Sequence, residues 1–89
     1  MTAALPGETL AIAERVIVSP AVGIFRPRAV EPGAILAAGD EIGVIEAPGT
    51  ATPIRSAFDG TLMGMLALDG ERLRAGQVVA WLRLGELEP

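Results

Sequence analysis

Three glycines in the first half of this chain recur in the second half, each 37 residues further on, and other residue types match at the same spacing. Glycine is needed where a backbone adopts positive φ or passes close to another strand, so matched glycines predict matched backbone paths. The sequence therefore predicts one unit written twice, over residues 16–47 and 53–84. The matched pairs are Gly23 and Gly60, Gly33 and Gly70, Gly39 and Gly76, Ile17 and Ile54, Ser19 and Ser56, Leu36 and Leu73, and Ala38 and Ala75.

Two copies are too few for a solenoid, so the repeat favours one compact domain with internal two-fold pseudosymmetry. Short apolar segments rich in branched side chains alternate with Pro-Gly, Ala-Gly and Asp-Gly dipeptides, which favours short β-strands and turns. We expect two small sheets, each completed by strands from the other copy, in an all-β sandwich or barrel. The expected strand segments are residues 14–20, 23–30, 35–36, 41–47, 52–56, 60–68, a single apolar residue at Leu73, and 77–84.

Proline and glycine carry specific expectations at three places. Pro27 cannot donate to a ladder, so its segment should bend, break or lie at a sheet edge. Asp69-Gly70, inside the segment 68–71, is the strongest β-hairpin signal of the chain. Gly64 is expected to kink the segment that contains Met63 and Met65, and we expect both methionines to be packed or half-buried.

The residue types that are missing restrict the chemistry. The 89 residues are 51% hydrophobic and include no Cys, His, Tyr or Lys; all seven basic residues are Arg. The chain therefore has no thiolate or imidazole for catalysis or metal binding, and no side-chain amine to carry a covalent cofactor. A net charge of −4 argues against nucleic acid as a partner. No apolar run is long enough to cross a bilayer, so we expect a soluble cytoplasmic protein.

Over residues 14–84 the sequence resembles the biotinyl/lipoyl carrier domain, and the resemblance implies tails at 1–13 and 85–89. That family folds as a flattened eight-stranded β-barrel, or barrel-sandwich hybrid, of two pseudosymmetric halves. A tight hairpin between the halves presents the lysine that carries the cofactor. The resemblance is carried by Ser19-Pro20 with Gly23, Gly33, Gly39 to Ile42, Val44 to Ala47, Ile54, Phe58 to Thr61, Asp69 to Leu73, and Gly76 to Val79.

The hairpin tip departs from the family pattern. Biotin carriers have Glu-Ala-Met-Lys-Met there, whereas this chain has Glu46, Ala47, Pro48, Gly49 and Thr50. Gly49 stands where the resemblance places the modified lysine, so biotin and lipoate attachment are expected to be impossible. Pro-Gly favours a type II turn, with glycine at the position of positive φ. Thr50 has a hydroxyl but no base to activate it.

The remaining polar residues have structural interpretations that we favour over functional ones. The resemblance implies that Glu46 belongs to the hairpin that a ligase recognises, but we prefer to interpret it as a solvated strand-end carboxylate. Asp40-Glu41, Asp59 and Asp69 are expected to bind turn amides, since their spacing is not that of a calcium loop. The pairs Arg26 with Arg28 and Arg72 with Arg74 each share a strand face and could form an anion or partner patch, although solvated charge is preferred.

Three functions remain open at this point. The first and favoured one is a cofactor-free relative of the carrier domain, more an interaction or assembly module than an enzyme, with subunits of an acyl-CoA carboxylase or a related pathway as partners. The second is a small-molecule-binding barrel or cyclase-like enzyme of secondary metabolism, which an unfilled cavity lined by Trp81 or Phe25 would favour. The third is a structural domain like the hybrid motif of export adaptors. Trp81 is expected in the core, and so apolar a chain could also form a homodimer.

Overall fold

A computed structural model describes residues 13–84, and every regular element in that range is a β-strand. Within these residues there is no helix that could cross a membrane. Nearly all of the two expected tails, residues 1–12 and 85–89, lies outside the described residues. The strands are β1 (Glu14–Val18), β2 (Gly23–Pro27), β3 (Ile35–Leu36), β4 (Glu41–Ala47), β5 (Thr50–Arg55), β6 (Gly60–Met65), β7 (Arg72–Leu73) and β8 (Val78–Leu84).

The strands form two four-stranded antiparallel sheets. Sheet I has the order β1-β8-β6-β3 and sheet II the order β5-β4-β2-β7, so each contains two strands from each copy of the repeat, as the sequence predicts. Both sheets are open in the described part of the chain, and the architecture is a β-sandwich. The predicted closure into a barrel is therefore corrected. A closed barrel would need each edge strand of one sheet to pair with an edge strand of the other. Two of the four edge strands, β3 and β7, have only two residues each.

The repeated glycines lie where the backbone needs them. At the turn positions 33, 39, 70 and 76, φ lies between +86° and +98°. Gly60 has a different role, because a Cβ there would lie 2.6 Å from the carbonyl oxygen of Arg83 on the neighbouring strand. A Cβ at its counterpart Gly23 would lie 2.4 Å from the carbonyl oxygen of Glu46. The prediction of matched turns and close strand contacts is confirmed at these positions.

Two buried serines connect the copies. Ser19 and Ser56 are 1% and 2% exposed, and each hydroxyl donates a 2.7 Å hydrogen bond to a carbonyl two residues further on. Their backbone groups bond the glycine turn of the other copy, which satisfies polar groups that the core would otherwise leave unpaired. These backbone bonds are Ser19 N to Gln77 O, Gly76 N to Ser19 O, Ser56 N to Asp40 O and Gly39 N to Ser56 O, each between 2.8 and 2.9 Å.

The core lies between the sheets and is built from aliphatic side chains around Phe25, which is fully buried. Trp81 is not part of it, so that prediction is wrong. Its neighbours Ala80 and Leu82 are the buried residues of β8, and side chains alternate along a strand. The indole therefore lies on the outer face of sheet I. Val44, its counterpart in the repeat, is also only partly buried.

The Asp-Gly segment makes a turn but not a hairpin. Glu71 N donates to Leu68 O at 2.9 Å, which closes the turn. However, β6 and β7 belong to different sheets, so the turn carries the chain from one sheet to the other. The hairpin prediction is wrong because turn chemistry is local, whereas the pairing of the next strand depends on β2.

Proline and glycine alter two strands as expected. Pro27 is the last residue of β2, which confirms the expected break. In β6 the pairing with β8 is irregular between Leu62 and Gly64, so Met63 is a bulged residue. Met63 and Met65 are both half-buried, as expected.

Candidate functional site

The hairpin between β4 and β5 is the site that the family resemblance indicates. Ala47 pairs with Thr50, and Pro48 and Gly49 form the two-residue turn between them. Gly49 has φ of +75°, the conformation that a type II turn requires at its third residue. Pro48, Gly49 and Thr50 are all exposed. The tip is therefore a short exposed turn whose backbone favours glycine at position 49.

Glu46 is not an isolated carboxylate. Its Oε1 lies 3.1 Å from Nε of Arg26, and Nη1 of Arg26 lies 3.2 Å from Oδ1 of Asp69. The hydrogen bond to Glu46, followed by that to Asp69, raises the pKa of Arg26 further above its ordinary value. Arg26 is therefore always charged, and it connects the base of the hairpin to the loop between β6 and β7.

The first pair of arginines is occupied by acidic partners. Arg28 donates to Glu41 through Nε at 2.8 Å, and Nη2 of Arg55 lies 3.9 Å from the other carboxylate oxygen. Because Arg26 and Arg28 both have carboxylate partners, they do not offer a free anion site. Arg72 and Arg74 are exposed on either side of the buried Leu73.

The acidic residues in turns have structural roles. Asp40 accepts the amide hydrogen of Ala37 at 2.8 Å, as expected for a turn aspartate. Asp59 also accepts an amide at 2.8 Å, but from Ala38 in the other copy. Asp69 differs from the expectation, since it accepts a hydrogen bond from the side chain of Arg26. In residues 13–84 no three acidic side chains are grouped so that they could hold a metal ion.

An exposed apolar surface on sheet I is the main feature that sequence reasoning missed. We call it the Trp81 face; its members are Val16, Val18, Leu66, Val78 and Trp81. Trp81 pairs with Val16 on one side and with Gly64 on the other. A Cβ at Gly64 would lie 3.2 Å from the indole Nε1, so the missing side chain leaves room for the ring. An open hollow of about 490 Å³ beside the indole is lined by Glu14, Arg15, Val16, Leu66 and Trp81.

The repeat provides an internal comparison for this face. Val18 pairs with Val78 in sheet I, and the equivalent pair in sheet II is Arg55 with Glu41. The same positions of one fold are thus apolar on one sheet and charged on the other. The sequence of the last strand held a signal for this exposed face. Ala80 and Leu82, which flank Trp81, are also apolar, and because side chains alternate along a strand, either they or Trp81 can face the core, but not both.

Comparisons with known proteins identify the fold. No family model matches the chain, and no curated protein matches it. Among solved structures it is similar to the urea carboxylase of Kluyveromyces lactis, with a TM-score of 0.71 and 26% identity over 79% of this chain. It is also similar to a single-chain, multi-domain long-chain acyl-CoA carboxylase, with a TM-score of 0.72 and 16% identity over 82% of this chain.

A third similar structure is an aspartoacylase family protein from Mesorhizobium loti, with a TM-score of 0.68 and 23% identity over 82% of this chain. The chain spans only 6% and 7% of the two carboxylases and 24% of the aspartoacylase family protein. The two carboxylases agree with the resemblance to a biotin carrier domain. The matched region is in each case a small part of a larger polypeptide.

Proposed function

We propose that this chain is a biotinyl/lipoyl-like domain that carries neither biotin nor lipoate and acts as an interaction or assembly module. One observation carries the proposal: the tip of the β4–β5 hairpin has Gly49 in place of the cofactor lysine. The printed sequence has no lysine at any other position. Ligases for these cofactors acylate a lysine amine, so the domain has no acceptor group.

The proposal includes a finer description of the fold, in which two pseudosymmetric halves are related by a two-fold axis. The support is that β3 and β7, and likewise β4 and β8, begin 37 residues apart. The order of sheet II follows from that of sheet I when each strand is exchanged for its counterpart. In such an arrangement the pair Ala13 with Leu84 corresponds to the pair Thr50 with Ala47. The start of β1 and the end of β8 then occupy the position in sheet I that the hairpin tip occupies in sheet II.

For partners we propose subunits of a carboxylase, and for location the cytoplasm. The similarity to two carboxylases supports the partner class. The same fold also occurs in an aspartoacylase family protein, and a fold does not by itself fix a function. A fold that partners already recognise can retain its docking role after it loses the group it carried.

The small-molecule-binding alternative lacks the observation that would favour it. Phe25 is fully enclosed by core side chains, and Trp81 lies outside the core, so neither aromatic lines an interior cavity. The hollow beside Trp81 is open to solvent, unlike the enclosed sites that bury most of a small ligand. We therefore propose no second function.

The absence of an acceptor predicts a single mass. After co-expression with a biotin ligase and a lipoate ligase, the intact mass of the purified protein should equal that of its sequence. A biotin carrier domain expressed in the same cells is the positive control for ligase activity. An adduct of biotin or lipoate on this chain would contradict the proposal.

A matched variant shows whether the residues of the hairpin tip alone prevent biotin attachment. The triple substitution P48M/G49K/T50M restores the carrier motif after Glu46 and Ala47. We expect this variant to gain biotin. If it stays unmodified while the control domain is modified, a feature besides the missing lysine prevents recognition by the ligase.

The proposed partner class has its own test. The full chain, immobilised, should bind purified biotin carboxylase or carboxyltransferase subunits, measured by biolayer interferometry. We expect T50R, which adds a long cation at the exposed tip, to weaken binding by about tenfold or more. The control variant I35S lies on the other sheet, where Ile35 is 83% exposed, and should bind like the unmodified chain. Absence of binding to all subunits would refute the partner class without affecting the mass prediction.

A further inference from the structure

The two sheets end on edge strands that differ in one respect. In the described part of the chain, β1 is one edge of sheet I and β5 is one edge of sheet II. On β1, Ala13 O accepts from Leu84 N at 2.9 Å, and Ser19 N donates to Gln77 O at 2.8 Å. Backbone groups alternate in direction along an antiparallel strand. The odd-numbered residues of β1 therefore bond to β8, while the N–H and C=O groups of Glu14, Val16 and Val18 face away from the sheet.

The edge of β5 is blocked at its centre. Pro53 is the counterpart of Val16 in the repeat and pairs with Val44. Because Ala47 and Thr50 form the hydrogen-bonded pair that closes the hairpin, the alternation turns the Pro53 nitrogen outward, and proline has no N–H to offer there. At the equivalent outward position, β1 has a free N–H on Val16. The remaining edge strands, β3 and β7, have only two residues each.

We propose that β1 is a docking edge and that its occupant is β1 of a second copy of this chain, in antiparallel pairing about a two-fold axis at Val16. This goes beyond the proposed function, since it does not depend on the chemistry of the hairpin tip. In this register Val16 faces Val16 of the other copy, and Glu14 faces Val18. Each outward N–H then meets an outward C=O. The carbonyl of Glu14 also accepts from Nη1 of Arg15 at 2.9 Å and would be shared, so the two bonds at Val16 are the core of the self-complementary pairing.

Side chains and charge agree with this register. Arg15 faces Ile17 of the other copy, so like charges do not oppose each other across the junction. The guanidinium of Arg15 is held 5.6 Å from the centroid of the Phe58 ring, which orders the side chain within its own molecule. On the outer face, Val16 lies between Trp81 and the junction. The Trp81 faces of the two copies would therefore be continuous, with valine against valine at the axis.

Within residues 13–84, β1 is the one open edge longer than two residues, and this decides the assembly size. A single self-complementary edge closes at two copies, because a dimer leaves neither β1 free. Five residues of β1 bury far less than the roughly 1,200 Å² of a stable standard interface, so we expect a weak dimer that forms at high protein concentration. The outward backbone N–H and C=O groups of β1 select a second β1 strand as the partner. The apolar Trp81 face has no such directional groups and does not select a partner by itself.

The substitution V16P tests the proposal. It removes the central outward N–H and copies what β5 already has at Pro53, so the fold is known to accept proline at this position of the repeat. In sedimentation velocity from micromolar to millimolar concentration, the unmodified chain should pass from monomer to dimer. V16P should weaken self-association by about tenfold or more, because two backbone hydrogen bonds are lost across the axis.

The opposite substitution is the matched control. P53V restores an N–H to the edge of β5 and should give two open edges per molecule, so we expect assemblies larger than a dimer. Should V16P fail to fold by circular dichroism, amide hydrogen exchange of the unmodified chain still decides. The amides of Glu14, Val16 and Val18 should become protected as concentration rises. A chain that stays monomeric at millimolar concentration, or a dimer that V16P leaves intact, would overturn the proposal.

Discussion

Replacing Phe25 with alanine is expected to destabilise the domain by about 3–5 kcal/mol. Phe25 is fully buried at the centre of β2, opposite Ile45. Its ring occupies the space over Gly43, where a Cβ would lie 2.7 Å from the ring. A cavity of that size in a domain with a total stability on the order of 5–10 kcal/mol removes much of the unfolding free energy. Urea denaturation followed by far-UV circular dichroism, which does not depend on Trp81, measures the loss in this variant and in its controls.

Trp81 provides the matched aromatic control for this prediction. It is larger than Phe25 but only half-buried, so W81A should cost less than half as much free energy. If W81A destabilised the domain as strongly as F25A, the indole would belong to the core after all. The substitution I35A, at a residue that is 83% exposed, should change stability by no more than about 0.5 kcal/mol.

The second large effect is expected at Gly60, where alanine should lower the melting temperature by about 10 °C or more. A Cβ would lie 2.6 Å from the carbonyl oxygen of Arg83 and 2.6 Å from Cδ1 of Leu82. The leucine side chain can rotate, but the carbonyl belongs to β8, the central strand that pairs with both β1 and β6. Moving this carbonyl away would break hydrogen bonds between β8 and its neighbouring strands. A single added methyl group is therefore expected to lower the stability strongly at this position.

Gly64, in the same strand, is the control for Gly60. Neither glycine has a positive φ, so alanine is not strained by backbone conformation at either position. At Gly64 a Cβ would meet only the side chain of Trp81, at 3.2 Å from Nε1. The indole is at the surface and can shift, so G64A should change the melting temperature by only a few degrees. Equal effects of G60A and G64A would mean that β8 can move, contrary to the prediction.

The turns and strand segments could be predicted because their causes are local. Gly33 and Gly39 require positive φ whatever the rest of the chain does, and Pro27 ends a strand because it has no N–H. The strands predicted around residues 35–36 and 41–47 have those bounds in the structure. The repeat added a long-range inference, because two equal units can complete each other's sheets.

The turn at the candidate site could be predicted, but its contacts could not. Pro48-Gly49 indicates a two-residue turn from sequence alone, and the structure has that turn between β4 and β5. The ion pairs of Arg26 could not be read from the pattern, because its partners Glu46 and Asp69 are 20 and 43 residues away in sequence. The face of Trp81 was also not predictable from the repeat, since matched positions share a backbone path but not an environment.

By itself the sequence determined the residues matched at a spacing of 37, the turn positions and the absence of a lysine at the tip, since each follows from residue identity and local backbone geometry. Only the tertiary structure decided that Phe25 is enclosed while Trp81 is half-buried on the outer face, and that Val16 leaves one edge open where Pro53 blocks the other. The physical reason is that a strand's side chains alternate between two faces. Pairing with distant strands chooses which face meets the core and which backbone groups remain free.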